Sequence, residues 1–207
     1  MLRFMKNPLP LLAAALCALT LPVAARLGEN EAQSKARYGE PNPELVGAND
    51  KPLIAGAKEA AYFYQGWRVR AAFVNGTTHK IEYAKLVDGT PTTLDATVME
   101  AFVKQGGPRK ITPEEVTTIL EAEKGQANYR WREAKPKTGN DVLDALKKTF
   151  DGRVWERSDN ATAKLVFDLV IQLESRDADK LEKQLAKTTA KAGGKATPGP
   201  VTPLPKF

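Results

Sequence analysis

The sequence predicts an α+β fold, an antiparallel sheet with helices on one face and room for two α-β-β-β repeats. Three observations carry this. Apolar stripes at helical spacing follow complete N-terminal caps, long stretches alternate apolar and polar residues with period two, and an Asn-Gly pair sits between two alternating runs.

Asn30, with Gln33 three residues on, opens a short helix through Ala32, Ala36 and Tyr38 that Gly39 and Pro41 stop. Ala61 and Phe63, then Trp67, Val69, Ala71 and Phe73, carry the alternation up to Asn75-Gly76. An even loop there would put Ile81 and Tyr83 on the face opposite Val69 and Phe73. The pattern therefore predicts a three-residue hairpin, Val74-Asn75-Gly76, with Gly76 left-handed. Leu94, Val98, Ala101 and Phe102 predict a helix from Leu94 to Gln105, ended by Gly106-Gly107. Thr112-Pro113-Glu114-Glu115 is a capping box with proline in the first turn, followed by Val116, Ile119 and Leu120 on one face and Gly125 as the stop.

Val142, Ala145 and Leu146 predict a further helix over 141–150. Ala163, Leu165, Phe167, Leu169, Ile171 and Leu173 alternate with Lys164, Asp168, Gln172 and Glu174, the pattern of one long half-buried strand. Ala178, Leu181 and Leu185 predict a last helix, with order ending near Ala186.

The ends differ from the middle. Arg3 and Lys6 precede an apolar run from Leu11 to Leu21, and Val23 and Ala25 are the small residues a signal peptidase reads, so residues 1–25 are expected to be a secretory leader cleaved between Ala25 and Arg26. That run is about half of the roughly 20 residues a membrane-spanning helix needs, so no transmembrane anchor is expected. Cys17 is the only cysteine and lies in the leader, which leaves the mature chain without disulfides or thiolate chemistry.

Residues 187–207 hold Lys187, Lys191, Lys195 and Lys206, no acid, and Pro198, Pro200, Pro203 and Pro205, the composition of a disordered basic tail. The net charge of +6 belongs to these ends; between Arg26 and Ala186 cations balance the 25 acids. A secreted or periplasmic location is expected, and a nucleic-acid partner is not.

The middle divides into halves, 26–105 and 106–186. Val69 to Lys80 can be laid over Val154 to Lys164, with Asn75 and Thr77 opposite Asn160 and Thr162. Leu27-Gly28-Glu29-Asn30, Arg37-Tyr38-Gly39-Glu40-Pro41 and the aromatic strands from Tyr62 to Tyr83 resemble a small bacterial secreted family of unknown function with an Arg-Tyr-Gly-x-Pro signature. More loosely, the helix, glycine-proline and sheet order resembles envelope domains related to the beta-lactamase inhibitor protein. The closer resemblance implies no known activity; the looser one implies a non-enzymatic, protein-binding envelope module.

His79 is the sole histidine, which excludes a multi-histidine metal site and is expected as a packed residue on the apolar face near its hairpin end. Gly106-Gly107-Pro108 and Gly193-Gly194-Lys195 lack the flanks of a phosphate loop. Asp168 is expected on the polar strand face beside Lys164 and Gln172, and Glu114, Glu115, Asp141 and Asp144 at helix first turns. Asn75-Gly76-Thr77 and Asn160-Ala161-Thr162 read as turns.

No catalytic, cofactor or metal residue stands out. The candidate partner-binding residues are Trp131, Trp155 and Arg153, because indoles beside arginines form binding anchors and Trp155 lies between Val154 and Glu156 in a strand too polar to be buried on both sides. The expected function is a non-enzymatic extracytoplasmic binding or structural module that meets an envelope protein or polymer. The alternative is a carboxylate-dependent hydrolase of envelope polymers, which needs two acids in one cleft, one of them desolvated.

Overall fold

The computed structural model describes residues 26–47, 50–124, 129–134 and 152–193. The expected leader, the Gly125 stop, the helix over 141–150 and the tail beyond Gly193 lie outside the described residues. The helices are α1 (Glu31–Tyr38), α2 (Ala96–Lys104), α3 (Pro113–Ala122) and α4 (Ala178–Gly193). The strands are β1 (Lys58–Tyr64), β2 (Trp67–Val74), β3 (Thr77–Lys85), β4 (Trp131–Glu133), β5 (Arg153–Arg157), β6 (Thr162–Val166) and β7 (Val170–Glu174). They form one sheet in the order β1-β2-β3-β7-β6-β5-β4, antiparallel at every pairing. The two halves meet where β3 pairs β7, with Ile81 opposite Leu173.

Both predicted capping boxes form, at Asn30 with Gln33 and at Thr112 with Glu115. The Arg-Tyr-Gly-Glu-Pro stretch has a physical account. Tyr38 is buried with its ring 5.4 Å from Tyr62 and 5.4 Å from Tyr64, Arg37 pairs with Glu29 at 2.5 Å, and Gly39 (φ 86) ends α1. One core therefore spans both halves: Tyr38, Tyr62, Val69, Ile81 and Tyr83 from the first, Leu120, Trp155, Leu165 and Leu173 from the second.

The α+β class and the antiparallel sheet are as the sequence predicts, but the helices divide between the faces. Tyr38 of α1 and Val116, Ile119 and Leu120 of α3 pack on the face of Val69 and Tyr83. Ala178, Leu181 and Leu185 of α4 meet Ala72 and Val74 on the opposite face, where Phe102 of α2 packs near Ala61 and Leu86.

That opposite face also holds a network of buried charge. Arg70 bonds Glu59 at 2.9 Å and Glu82 at 3.4 Å, and Arg68 reaches Asp50 at 3.0 Å and Glu82 at 3.2 Å. These pairs tie the segment before β1 to β2 and β3.

Two register expectations are corrected. The β2–β3 loop has two residues, since Val74 pairs Thr77 and both Asn75 (φ 53) and Gly76 (φ 77) are left-handed, a type I′ turn. Ile81 and Tyr83 still share a face with Val69 because a bulge restores parity: Ala72 pairs Lys80 and Phe73 pairs Thr78, leaving His79 extra. Ala61 and Phe63 point away from Val69, because the two-residue turn at Gln65-Gly66 makes Tyr62 and Tyr64 the core-facing residues of β1.

The long strand of the second half is a hairpin, β6 and β7 joined at Phe167-Asp168-Leu169. A three-residue connection preserves parity, so Leu165 and Ile171 pair on one face and the sequence alternation runs through unbroken. The last helix continues to Gly193, past the expected end at Ala186, since Lys187 to Gly193 contains no proline.

Candidate functional site

The margin of the sheet at β4 and β5 alternates cations with aromatic rings. Its register sets Trp131 opposite Arg157 and Glu133 opposite Trp155, so these four share the core face with Arg153. The Arg153 guanidinium lies 4.9 Å over the Trp155 ring and forks onto Glu133 at 3.1 and 2.9 Å. That carboxylate raises the Arg153 pKa. Arg157 lies 5.0 Å from the Tyr129 ring and 5.4 Å from the Trp131 ring. It is fixed by two 2.8 Å bonds to Asp159 and one of 2.7 Å to the Glu123 carbonyl oxygen. Burial pushes the Asp159 carboxyl up, but the Arg157 fork outweighs it and leaves its pKa lowered.

Of the residues predicted for a partner surface, Trp155 is not an exposed anchor: it is 6% exposed and belongs to the core. The polar residues on its own face, Arg153 and Arg157, are paired with Glu133 and Asp159 and lie over aromatic rings. Trp131 is half-buried, with an indole nitrogen that lacks a partner among the described residues. Arg153 is half-buried on top of Trp155.

The exposed aromatic at this end of the sheet is Phe167. It is 70% exposed at the tip of the β6–β7 hairpin, and both it (φ 51) and Asp168 (φ 58) are left-handed. Asp168 is therefore a turn residue, not one of the polar strand face. Its carbonyl accepts from the Ile111 amide at 2.7 Å, which ties the tip to the segment leading into α3. Beside it lies a recess of about 140 Å³ whose walls include Lys110, Pro113, Val116, Arg153, Leu165 and Asp168. The predicted site residue Arg153 thus lines one recess with Asp168, the turn neighbour of the unpredicted Phe167, and Lys110 supplies a second cation.

A sealed polar cluster lies under α1. Glu123, the C-cap of α3, is 0% exposed, accepts from the Tyr83 hydroxyl at 2.8 Å and faces the Leu27 amide at 3.4 Å. The Tyr38 hydroxyl is 3.3 Å from that of Tyr83. Burial pushes the Glu123 carboxyl up to about 8, against the lowering effects of Tyr83 and Arg157. The same burial, with Glu123 nearby, holds both tyrosines well above their ordinary range. Sequence reasoning missed Glu123, although it stands at the i+7 place of the stripe begun by Val116, a core-facing position.

His79 sits at the bulge, half-buried, with Nδ1 2.8 Å from Ser175 Oγ; burial lowers its pKa against the raising effect of Asp177. It ties the bulge to the residues before α4. Asn75 (φ 53) and Asn160 (φ 68) both occupy left-handed turn positions. Among the described residues no group of three or more His, Cys, Asp or Glu is placed to hold a metal ion, and no helix is long and apolar enough to cross a membrane.

No protein-family model matches the chain, nor does any curated protein or solved structure.

Proposed function

We propose that the chain is an exported, non-enzymatic module that binds an envelope protein or polymer through the β6–β7 tip. Phe167 is the anchor, with Arg153 and Lys110 lining the recess beside its neighbour Asp168; Trp131, opposite Arg157 at the far end of β5, lies outside this surface. The single observation that carries this reading is the place given to Phe167. A left-handed turn position favours Asn, Asp or Gly, and the two-residue turns of this sheet use Gln65-Gly66 and Asn75-Gly76. A phenylalanine there costs about 1–2 kcal/mol of backbone strain and exposes a large apolar ring besides. Neither serves the fold. An exposed aromatic near an arginine does serve binding.

The leader pattern over residues 1–25, cleavage after Ala25, the cysteine-free mature chain and the neutral stretch from Arg26 to Ala186 support export and a partner other than nucleic acid. The resemblance of residues 26–83 to a secreted family, and more loosely to envelope protein-binding domains, points the same way. In this reading Trp155 acts from beneath, as the ring on which Arg153 rests. The test is capture from the native envelope by wild type and by Phe167→Asn, with the captured species identified and rebound in pure form. Binding that survives the substitution refutes the anchor.

One observation favours the hydrolase alternative: Glu123 is a desolvated carboxyl whose pKa burial pushes up to about 8. Its oxygens are occupied by Tyr83 and Leu27, and the nearby acid Glu29 is paired with Arg37, so substrate would reach it only if residues 26–30 lifted away. Hydrolysis of envelope glycans that Glu123→Gln abolishes would favour this alternative.

A further inference from the structure

The segment from Arg26 to Asn30 is built into the fold. The Gly28 amide donates to the Thr78 carbonyl at 2.8 Å, and the Glu29 carbonyl accepts from the Thr78 amide at 2.8 Å and its hydroxyl at 2.7 Å. Asn30 bridges Thr77, and Leu27 packs against the core while its amide faces Glu123. The Arg26 guanidinium donates at 3.3 Å to the Ala122 carbonyl, at the end of α3 where a cation meets the helix dipole favourably.

The Arg26 backbone nitrogen lies 3.4 Å from Glu29 Oε2. The Glu29 side chain is 12% exposed and its other ionic partner is Arg37. An amide nitrogen at that distance makes a weak, neutral contact. An ammonium there would form a charge-assisted pair with a carboxylate largely removed from water.

We propose that cleavage between Ala25 and Arg26 completes this cluster, the new α-ammonium of Arg26 pairing with Glu29 so that the mature chain is more stable than one extended at its start. This rests on the leader reading above. The step is hydrolysis by a leader peptidase: water adds across the amide, the C–N bond breaks, the carboxylate stays on Ala25, and the amine of Arg26 takes up a proton. The precursor lacks that charge at Glu29. The pairing therefore forms only after export, when folding no longer competes with passage of an unfolded chain.

The test compares two chains that differ by one residue, one starting at Arg26 and one at Ala25, each released from a fusion that leaves no extra residue. The longer chain restores an amide at Arg26 and moves the ammonium away. In the wild-type background the chain starting at Arg26 is expected to melt about 2–4 °C higher, the shift that about 1 kcal/mol gives at this size, and Glu29→Gln is expected to erase the difference. Equal melting in the wild type, or a difference that persists in Glu29→Gln, overturns the pairing. Should Glu29→Gln fail to fold because Arg37 loses its partner, titration of the α-amino group decides. A value above the ordinary 7.7–8.0 supports the pair, and an ordinary one overturns it. Intact mass of exported protein reports the leader reading separately: a start at Arg26 is expected, and retained Met1 refutes that reading whatever the melting shows.

Discussion

Tyr83 donates its phenolic proton to Glu123 across 2.8 Å in a site where the tyrosine is 4% and the carboxyl 0% exposed. Burial is the dominant influence on both, and each is easier to keep neutral than charged. The pair joins the two halves of the chain, since Tyr83 belongs to β3 and Glu123 caps α3.

A pH dependence follows. The folded-state value of about 8 for Glu123 lies above the ordinary 4.5, so the native state holds the proton more tightly than the unfolded chain. Its stabilisation is complete below pH 4.5 and is lost as pH rises through about 8. Melting temperature is expected to fall across that interval, and Glu123→Gln, which mimics the neutral acid, is expected to flatten the fall. A wild type equally stable across the interval would refute the buried neutral carboxyl.

His79 supplies a second titration, of opposite sign. Burial lowers its pKa from 6.5, so its contribution is present above pH 6.5 and is lost as pH falls through the folded value. It is the only histidine in the chain, so a single imidazole resonance reports it in NMR without overlap. The expected midpoint lies below 6.5, and Ser175→Ala is expected to bring it closer to that value by opening the ring to water. A midpoint above 6.5 would show that Asp177 outweighs burial.

Arg157 tests whether the guanidinium shape matters. It spans Asp159, the Glu123 carbonyl and two aromatic rings at once, a geometry lysine cannot reproduce. Arg157→Lys is expected to destabilise the protein by about 2–4 kcal/mol, as losing part of a buried charge network does. A loss under about 0.5 kcal/mol in denaturant melts would mean that charge alone suffices.

Gly152 offers a steric test of the β5–β6 pairing. It has φ 77, and a Cβ there would collide with the Leu165 carbonyl oxygen. Gly152→Ala is expected to cost at least about 3 kcal/mol, because the clash is with backbone that cannot rotate away. Thermal melting decides it, and a neutral effect would mean the strands meet differently.

Much of this architecture was legible, and the strand misses share one physical origin. Caps announce helices locally, so α1 and α3 could be read from Asn30 and Thr112. Strand parity is a count, and a count is blind to paired errors. A two-residue turn followed by a bulge at His79 gives the same facing pattern as a three-residue turn. The three-residue connection at Phe167 gives the same pattern as no turn at all. The turn chemistry that would have broken the tie is missing there, because Phe-Asp is not a turn pair. Trp155 is buried in a polar strand because its face-mates Arg153 and Arg157 are paired with Glu133 and Asp159, pairings that no spacing in the sequence reveals.

At Phe167 the turn lacks the residues that relieve a left-handed backbone. Replacing Phe167 by Asn relieves a left-handed aromatic and removes a ring that is 70% exposed, so the variant is expected to gain about 1 kcal/mol and melt about 2–4 °C higher. An ordinary surface residue would show no such penalty, and a core residue would show the reverse. If the ring is kept for binding, the stabilised variant should lose capture of the envelope partner, the opposition of stability and activity expected at functional sites. Arg153→Ala should weaken capture as well, but should destabilise slightly, since it removes the cation resting on Trp155 and paired with Glu133. Melting and capture that move in opposite directions for Phe167→Asn, and together for Arg153→Ala, are the outcome that separates an anchor from a strained but idle turn. A Phe167→Asn protein that is less stable than wild type would show that the ring packs, and the surface would then have to be sought elsewhere.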